Sequence, residues 1–283
     1  MSSVILEWVK VLGPILLSWP MVALLVVILF KSPLLKLMDR FTETGGSKAE
    51  IGPIKIELGN PVLPPQYRSR AVERVQEGID LSSEIGEIGD TGPEGTTVGF
   101  SIAYALQAAV KVKTNESVKL SPRGIYVLAK KYDEWPGEDY EGTSVVGGLE
   151  AVREIGAYLE KDWPYGSKSK PKTARKPSYK ISAYSELKGI EQILNALREK
   201  KVIVAAIQVT DDFDKTDTDG KVTIKLPLKS IGAKTISIVG YNEETAEFKF
   251  ANDWGTAWGN GGFGLIKDTD LSRIMQNAYV LDL

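Results

Sequence analysis

The chain has 283 residues, of which 43% are apolar and 25% charged, and its 35 basic and 37 acidic side chains give a formal net charge of -2. This composition is typical of a folded protein with a sizeable core, and the balanced charge argues against a nucleic-acid partner. The sequence contains no cysteine and no histidine. It therefore excludes disulfides, catalysis by a thiolate or an imidazole, and metal sites built on Cys or His ligands, and no cofactor is predicted.

An uncharged apolar run, Val11–Phe30, stands out near the N-terminus. At about 1.5 Å per residue, a helix of this length spans a hydrocarbon core of about 30 Å. The run exceeds the apolar region of a signal peptide, and no small-residue cleavage site follows it. We therefore predict a short tail at 1–10, a single-pass transmembrane helix at 11–30 and a juxtamembrane spacer at 31–60. The alternative is a buried core helix.

The charges beside this run predict its orientation. More Lys and Arg residues follow the run than precede it, which favours a cytoplasmic C-terminal side. We expect a protein of the cell membrane whose soluble domain, predicted at 61–283, faces the cytoplasm. Within the spacer, the alternation at Ile51–Leu58 predicts a short strand.

Helices come first in the soluble domain. Their predicted starts lie near Thr97, Ser121, Ser144 and Ser185. The first helix has apolar residues on most sides, which predicts a buried central helix. The second has a serine as its N-cap and a proline at its first helical position, and is predicted to run to Tyr132. The third is expected to continue as far as Lys161.

Strands follow the fourth helix, because the apolar pattern then changes to the alternation of a half-buried sheet. The predicted strands are 201–209, 221–226, 234–241, 247–253 and 261–267. Helices gathered ahead of a mostly antiparallel sheet predict an α+β domain. We expect two subdomains that meet at a cleft.

Three segments carry a recognisable pattern in the same order. Residues 80–106 contain a strand and a turn that lead into the central helix, residues 120–165 form a helical stretch, and residues 234–267 contain NDWGTAWGNGGF. Together they resemble the papain-like (C1 family) cysteine peptidases, and the middle segment resembles the bacterial C1-like branch. The resemblance implies a two-subdomain fold with a helical part and an antiparallel sheet or barrel part.

The resemblance also assigns the family's working positions to residues of this chain. The nucleophilic cysteine falls on Thr97, the general-base histidine on Lys234 and the oxyanion-hole glutamine on Thr91. Only the asparagine that orients the histidine is kept, as Asn252, and the shielding indole follows as Trp254. The family's catalytic set is therefore expected to be dismantled.

The surviving residues also have a structural interpretation. Asn252 and Trp254 suit a turn and the packing beside a sheet. Lys234 would either extend its ammonium into the former cleft or pair with an acid such as Asp253 or Glu94, which stands where the family often has a disulfide cysteine. These interpretations need no ligand.

The sequence as a whole predicts a pseudopeptidase that binds a peptide or protein, or acts as a scaffold, through a cleft formed by Thr97, Lys234, Asn252 and Trp254. One alternative is a hydrolase with a Thr97–Lys234 dyad, which would require burial to lower the pKa of Lys234 by about three units from about 10.4. Another is an assembly subunit that forms oligomers through the anchor or the spacer.

Overall fold

The computed structural model describes residues 78–133, 141–167, 169–214, 216 and 218–283, together with the backbone of 48–51 and 54–57. The chain divides into two compact units, Met1–Val75 and Gln76–Leu283. The predicted transmembrane helix at 11–30 lies outside the described residues. Among the residues that are described, no helix is both long enough and apolar enough to cross a membrane.

The described part of the first unit is a β-hairpin. Its strands are β1 (Lys48–Ile51) and β2 (Ile54–Glu57), which pair antiparallel. The sequence predicted one strand at 51–58 where the structure has two. A Gly-Pro dipeptide separates the strands in the sequence, and such a dipeptide favours a turn over a continuous strand.

The second unit has an α+β fold, as predicted. Its helices are α1 (Thr97–Thr114), α2 (Pro122–Ala129), α3 (Val145–Glu154), α4 (Ile190–Arg198), α5 (Asp211–Asp214) and α6 (Asp268–Ile274). Its strands are β3 (Ile79–Asp80), β4 (Ala183–Glu186), β5 (Ile203–Thr210), β6 (Lys221–Val222), β7 (Ser230–Asn242), β8 (Glu247–Ala251), β9 (Phe263–Lys267) and β10 (Met275–Asp282).

The strands form one eight-stranded sheet in the order β4-β10-β5-β7-β8-β9-β6, with β3 pairing with β7. The β6–β9 pair is parallel and the other pairs are antiparallel, so the sheet is mixed. The 13-residue strand β7 lies near its centre and carries Lys234. The sheet therefore provides one wall of the predicted cleft.

Helix α1 is the central helix that the sequence predicted. Most of its side chains are buried, and the polar Gln107 among them is hydrogen-bonded through both of its amide atoms. Its Nε2 donates to the carbonyl oxygen of Ile85, and its Oε1 accepts from the Leu120 N–H at 2.8 Å. Because a buried amide is costly unless it is paired, these two bonds let Gln107 tie α1 to two neighbouring loops.

Three helix boundaries differ from the prediction. Helix α2 ends at Ala129 instead of Tyr132. Helix α3 ends at Glu154 instead of continuing to Lys161, because Gly156 takes a φ of +101° and the chain turns towards Tyr179. Helix α4 begins at Ile190 after Gly189, and the predicted cap Ser185 lies in β4. Pairing of β4 with the C-terminal strand β10 explains the late start of α4, since a long-range ladder overrides a local capping preference.

We predict that removal of the Ser121 hydroxyl destabilises the fold more than removal of a simple cap. Ser121 Oγ accepts from the Gly124 N–H at 2.9 Å and donates to the Trp163 carbonyl oxygen at 2.5 Å. Ser121→Ala should cost about 2–3 kcal/mol of unfolding free energy, because it removes the cap and leaves a buried carbonyl unpaired. Denaturant unfolding of the full chain in detergent measures the loss.

The matched control is Ser144→Ala. Ser144 caps α3 by accepting from the Gly147 N–H at 3.0 Å, so its loss should cost about 1 kcal/mol. Equal losses at the two serines would contradict the importance of the second bond made by Ser121.

Candidate functional site

The site forms where the start of α1 meets β7. Thr97 is the first residue of α1, and its Oγ1 accepts a hydrogen bond from the Thr235 N–H at 3.1 Å. One helical turn further on, Ser237 Oγ donates to the Ser101 carbonyl oxygen at 3.2 Å. These contacts fix the helix start against the strand, directly beside Lys234.

The register between β7 and β8 brings the other predicted residues to the same place. Ser237 lies opposite Ala251 in this antiparallel pair, so the residues after Ala251 run alongside those before Ser237. Lys234 Nζ donates to Asn252 Oδ1 and, at 2.7 Å, to Asp253 Oδ1. Of the two acids named from the sequence, Asp253 is the one that pairs with Lys234.

This ion pair is buried. Lys234, Asn252 and Asp253 are 6%, 1% and 2% exposed, respectively. Burial raises the pKa of the Asp253 carboxyl above its ordinary value and outweighs the opposing attraction of the Lys234 ammonium. Asp253 Oδ2 and Asn252 Nδ2 have no hydrogen-bond partner among the described residues.

Trp254 covers the ion pair. Lys234 Nζ lies 3.9 Å from the centroid of the indole ring, a cation–π contact that is strong when the cation is desolvated. The Trp254 ring meets Trp258 edge-on, with the centroids 5.9 Å apart, and Trp258 Nε1 donates to the Phe213 carbonyl oxygen at 3.2 Å. Trp254 is therefore held both by the cation beside it and by a second, anchored indole.

The turn that precedes α1 is tied to the same segment. The Thr91 N–H donates to the Asp253 carbonyl oxygen at 2.8 Å, and the Gly255 N–H donates to the Gly89 carbonyl oxygen at 3.0 Å. Thr91 is buried, and its hydroxyl donates to the Gly92 carbonyl oxygen at 3.4 Å. The structure thus places Thr91 next to the site but directs its hydroxyl into its own turn.

A second polar cluster fixes this turn from the other side. Glu94 forms an ion pair with Arg123 of α2, whose guanidinium carbon lies 4.9 Å from the centroid of the Tyr165 ring. Tyr165 OH donates to the Thr91 carbonyl oxygen at 2.9 Å and lies 2.6 Å from Thr96 Oγ1. Since a phenol has a single hydrogen, Thr96 is the donor in the second contact. Burial raises the pKa of Tyr165.

Sequence reasoning did not identify Arg123 or Tyr165 as part of the site. Arg123 lies in the first turn of α2, and Tyr165 follows a proline in a loop, so neither belongs to a hydrophobic repeat. Burial of Arg123 would have indicated a functional or structural role, but the burial of a single residue outside a repeating pattern cannot be predicted from the sequence. The two residues, with Gly166 and the turn 90–94, line a cavity of about 390 Å³ beside Thr91.

The structure therefore brings all four predicted cleft residues together. Lys234 and Asn252 lie beneath the surface, whereas Thr97 and Trp254 are partly exposed. The site offers an ammonium in an ion pair, a carboxamide, a hydroxyl that accepts from the backbone, and an indole face. Within the described ranges, no group of three or more acidic side chains could hold a metal ion.

Comparisons with known proteins agree with this architecture. The family model described as "Papain family cysteine protease" matches residues 75–281. The chain is similar to the cathepsin L-like proteinase of Phaedon cochleariae, with 24% identity over 69% of this chain and 62% of that protein. It is also similar to cathepsin L 2 of Paramecium tetraurelia, with 25% identity over 60% of this chain and 52% of that protein. The chain thus matches less than two thirds of the length of these relatives.

A solved structure shows the same fold. The cysteine protease xylellain from Xylella fastidiosa superposes with a TM-score of 0.62 and 21% identity, over 72% of this chain and 85% of that protein. At that identity the likeness concerns the fold alone. Since the family model covers most of the chain, this protein belongs to the papain family of cysteine proteases, although its sequence contains neither cysteine nor histidine.

Proposed function

We propose that this protein is a membrane-anchored pseudopeptidase, a papain-like domain that binds a peptide or protein partner in the former cleft without hydrolysing it. The anchor is the apolar segment predicted at 11–30, with the domain on the cytoplasmic side. The observation that most directly supports the absence of hydrolysis is the contact between Lys234 Nζ and Asp253 Oδ1 at 2.7 Å. The resemblance assigns the family's general base to Lys234, so this contact supports a proposal in which an ion-paired cation stands there.

The chemistry of that contact opposes hydrolysis. A general base needs a lone pair, and an ammonium held by a carboxylate and by Asn252 Oδ1 offers none. The Thr97 hydroxyl would be the nucleophile, and it accepts from the backbone of Thr235. The position of the family's oxyanion donor is taken by Thr91, whose hydroxyl is engaged in its own turn. Loss of one oxyanion donor costs on the order of 100- to 1000-fold in rate.

The same geometry supports binding. The ion pair supports Trp254 from beneath, so the partly exposed indole offers a fixed apolar face beside Thr97. A fixed aromatic surface binds with a small loss of side-chain entropy, and such residues dominate binding energy at interfaces. An extended peptide that adds to a strand edge and packs on Trp254 is the ligand class that suits this surface.

Binding is tested with the full chain in detergent micelles and a library of extended peptides. We expect a subset of peptides to bind and to remain intact after prolonged incubation, as read by mass spectrometry. Trp254→Ala should weaken their binding at least about tenfold, since a central aromatic anchor is typically worth 2 kcal/mol or more. The control is Tyr132→Ala, an exposed aromatic residue beyond the C-terminal end of α2. A library without binders, or cleavage of a bound peptide, would overturn the proposal.

The dyad hypothesis is tested at Thr97. The proposal predicts that a fluorophosphonate or β-lactone probe forms no adduct with Thr97, because the hydroxyl has no base to activate it. Intact-mass measurement of the full chain and of Thr97→Ala should give the same unlabelled mass. An adduct that disappears both in Thr97→Ala and in Lys234→Met would instead establish the hydrolase.

The ion pair is tested by substitution of one partner and then of both. Lys234→Met should cost about 3–5 kcal/mol of unfolding free energy at neutral pH, because it leaves the Asp253 carboxyl buried without its cation. Lys234→Met combined with Asp253→Asn should cost less than Lys234→Met alone, since no charge remains. The control is Lys188→Met, which breaks an exposed pair with Glu186 and should cost less than about 1 kcal/mol.

The cost of Lys234→Met should also depend on pH. Burial already raises the pKa of Asp253 above the ordinary 3.8, and removal of the cation raises it further. In the variant, the Asp253 carboxyl therefore binds a proton in the folded state at a higher pH than in the unfolded chain. The loss of unfolding free energy is greatest above the pKa that Asp253 has in the folded variant, and it shrinks as the pH falls through that pKa. Unfolding curves between about pH 8 and pH 4.5 measure this change. A deficit independent of pH would contradict the assignment to Asp253.

A further inference from the structure

The connection between β6 and β7, together with the first residues of β7, exposes a group of large apolar side chains. Leu226, Leu228 and Ile231 are 66%, 37% and 57% exposed. We name residues 225–231 the apolar loop. Three bulky apolar residues exposed within so short a segment are unusual for a soluble surface, and such patches mark sites that contact a protein or a membrane.

The exposure is built into the fold, because both ends of the apolar loop are held. Just before it, the Ile224 N–H donates to Asp270 Oδ2 at 3.1 Å, and Ile224 itself is buried. The Lys225 N–H donates to Asp212 Oδ2 at 3.1 Å. At the other end, Ser230 pairs with the last residue of β5. The chain therefore passes from a buried to a projecting position within two residues.

The charges of the apolar loop are all positive. Lys225 directly precedes Leu226, Lys229 lies between Leu228 and Ile231, and the sequence from 225 to 231 contains no acid. The Lys225 side chain is 78% exposed even though its Nζ lies 3.7 Å from Asp212 Oδ1. Apolar side chains interleaved with lysines match the boundary between the headgroups and acyl chains of an anionic bilayer.

We infer that the apolar loop is a membrane-contacting element, which inserts Leu226, Leu228 and Ile231 into the surface of a bilayer that contains anionic lipid. The inference rests on the membrane anchoring in the proposed function. For a domain already tethered to a bilayer, a few inserted side chains suffice to set its orientation. A protein partner fits less well, because a standard interface needs about 800 Å² from each side, more than one short loop presents.

Because β7 runs from the apolar loop directly to Lys234, membrane contact would also orient the cleft. Ile231 lies three residues before Lys234 on the same strand. The cleft would then bind its partner close to the membrane surface. This position favours a membrane-bound polypeptide over a freely diffusing one as the partner.

The absence of native cysteine makes a site-specific test simple. Leu228→Cys, labelled with a polarity-sensitive fluorophore, is reconstituted as the full chain into phosphatidylcholine vesicles with or without phosphatidylserine. We expect a blue-shifted emission and quenching by lipids brominated near the headgroup, both stronger with phosphatidylserine. The matched control is Glu244→Cys, on the exposed turn between β7 and β8, whose label should stay in water. Lys225→Gln with Lys229→Gln should remove the dependence on phosphatidylserine.

Flotation of the vesicles separates the two proposals. A chain that floats while the labels at positions 228 and 244 are equally exposed to water overturns the membrane-contacting loop and leaves the anchor standing. A chain that does not float overturns both. A blue shift that increases with the number of protein molecules per vesicle, and does not depend on the lipid composition, would show that a second copy of the chain covers the apolar loop. That result would also overturn the inference.

Discussion

The buried ion pair between Lys234 and Asp253 is the interaction on which the rest of the site depends. It joins β7 to the segment after β8, and its ammonium also contacts the indole of Trp254. Removing two charges from water is expensive, so such a pair contributes little net stability even when its geometry is good. The main physical effect of the pair is to hold Lys234, Asp253 and the elements that carry them in fixed positions. Neither partner can move away without leaving the other charge buried and unpaired.

Under the proposed function, this pair lies in a papain-family fold whose catalytic chemistry has been lost. The first residue of the central helix binds the backbone of the neighbouring strand, where a peptidase would present its nucleophile. The turn before the helix is closed by the Glu94–Arg123 ion pair and by Tyr165, at a place where the family often has a disulfide. The side chains at these positions make contacts within the protein: Thr97 with the backbone of Thr235, and Lys234 with Asp253 and Trp254. The partly exposed Trp254 indole next to this pair is the surface that the proposed function uses for binding.

The features that could be predicted from the sequence are those encoded locally or by a long motif. The buried helix that starts at Thr97, the Ser121 cap and the meeting of Lys234 with Asn252 follow from periodicity, capping chemistry and the family pattern. The pairing of β4 with β10, the Arg123–Tyr165 cluster and the exposure of the apolar loop could not be predicted. They depend on contacts between distant residues, and local preference at Ser185 even pointed to a helix where the ladder imposes a strand.

The charge of the Lys234 side chain is the most direct test of the account. Nitrogen-15 NMR of the full chain, with Lys234 assigned by comparison with Lys234→Met, reports how many protons Nζ carries. At neutral pH we predict the chemical shift of an ammonium, with a through-space contact to the Trp254 ring. A neutral amine in contact with the Thr97 hydroxyl would contradict the account, because it would supply the base that a hydrolase needs.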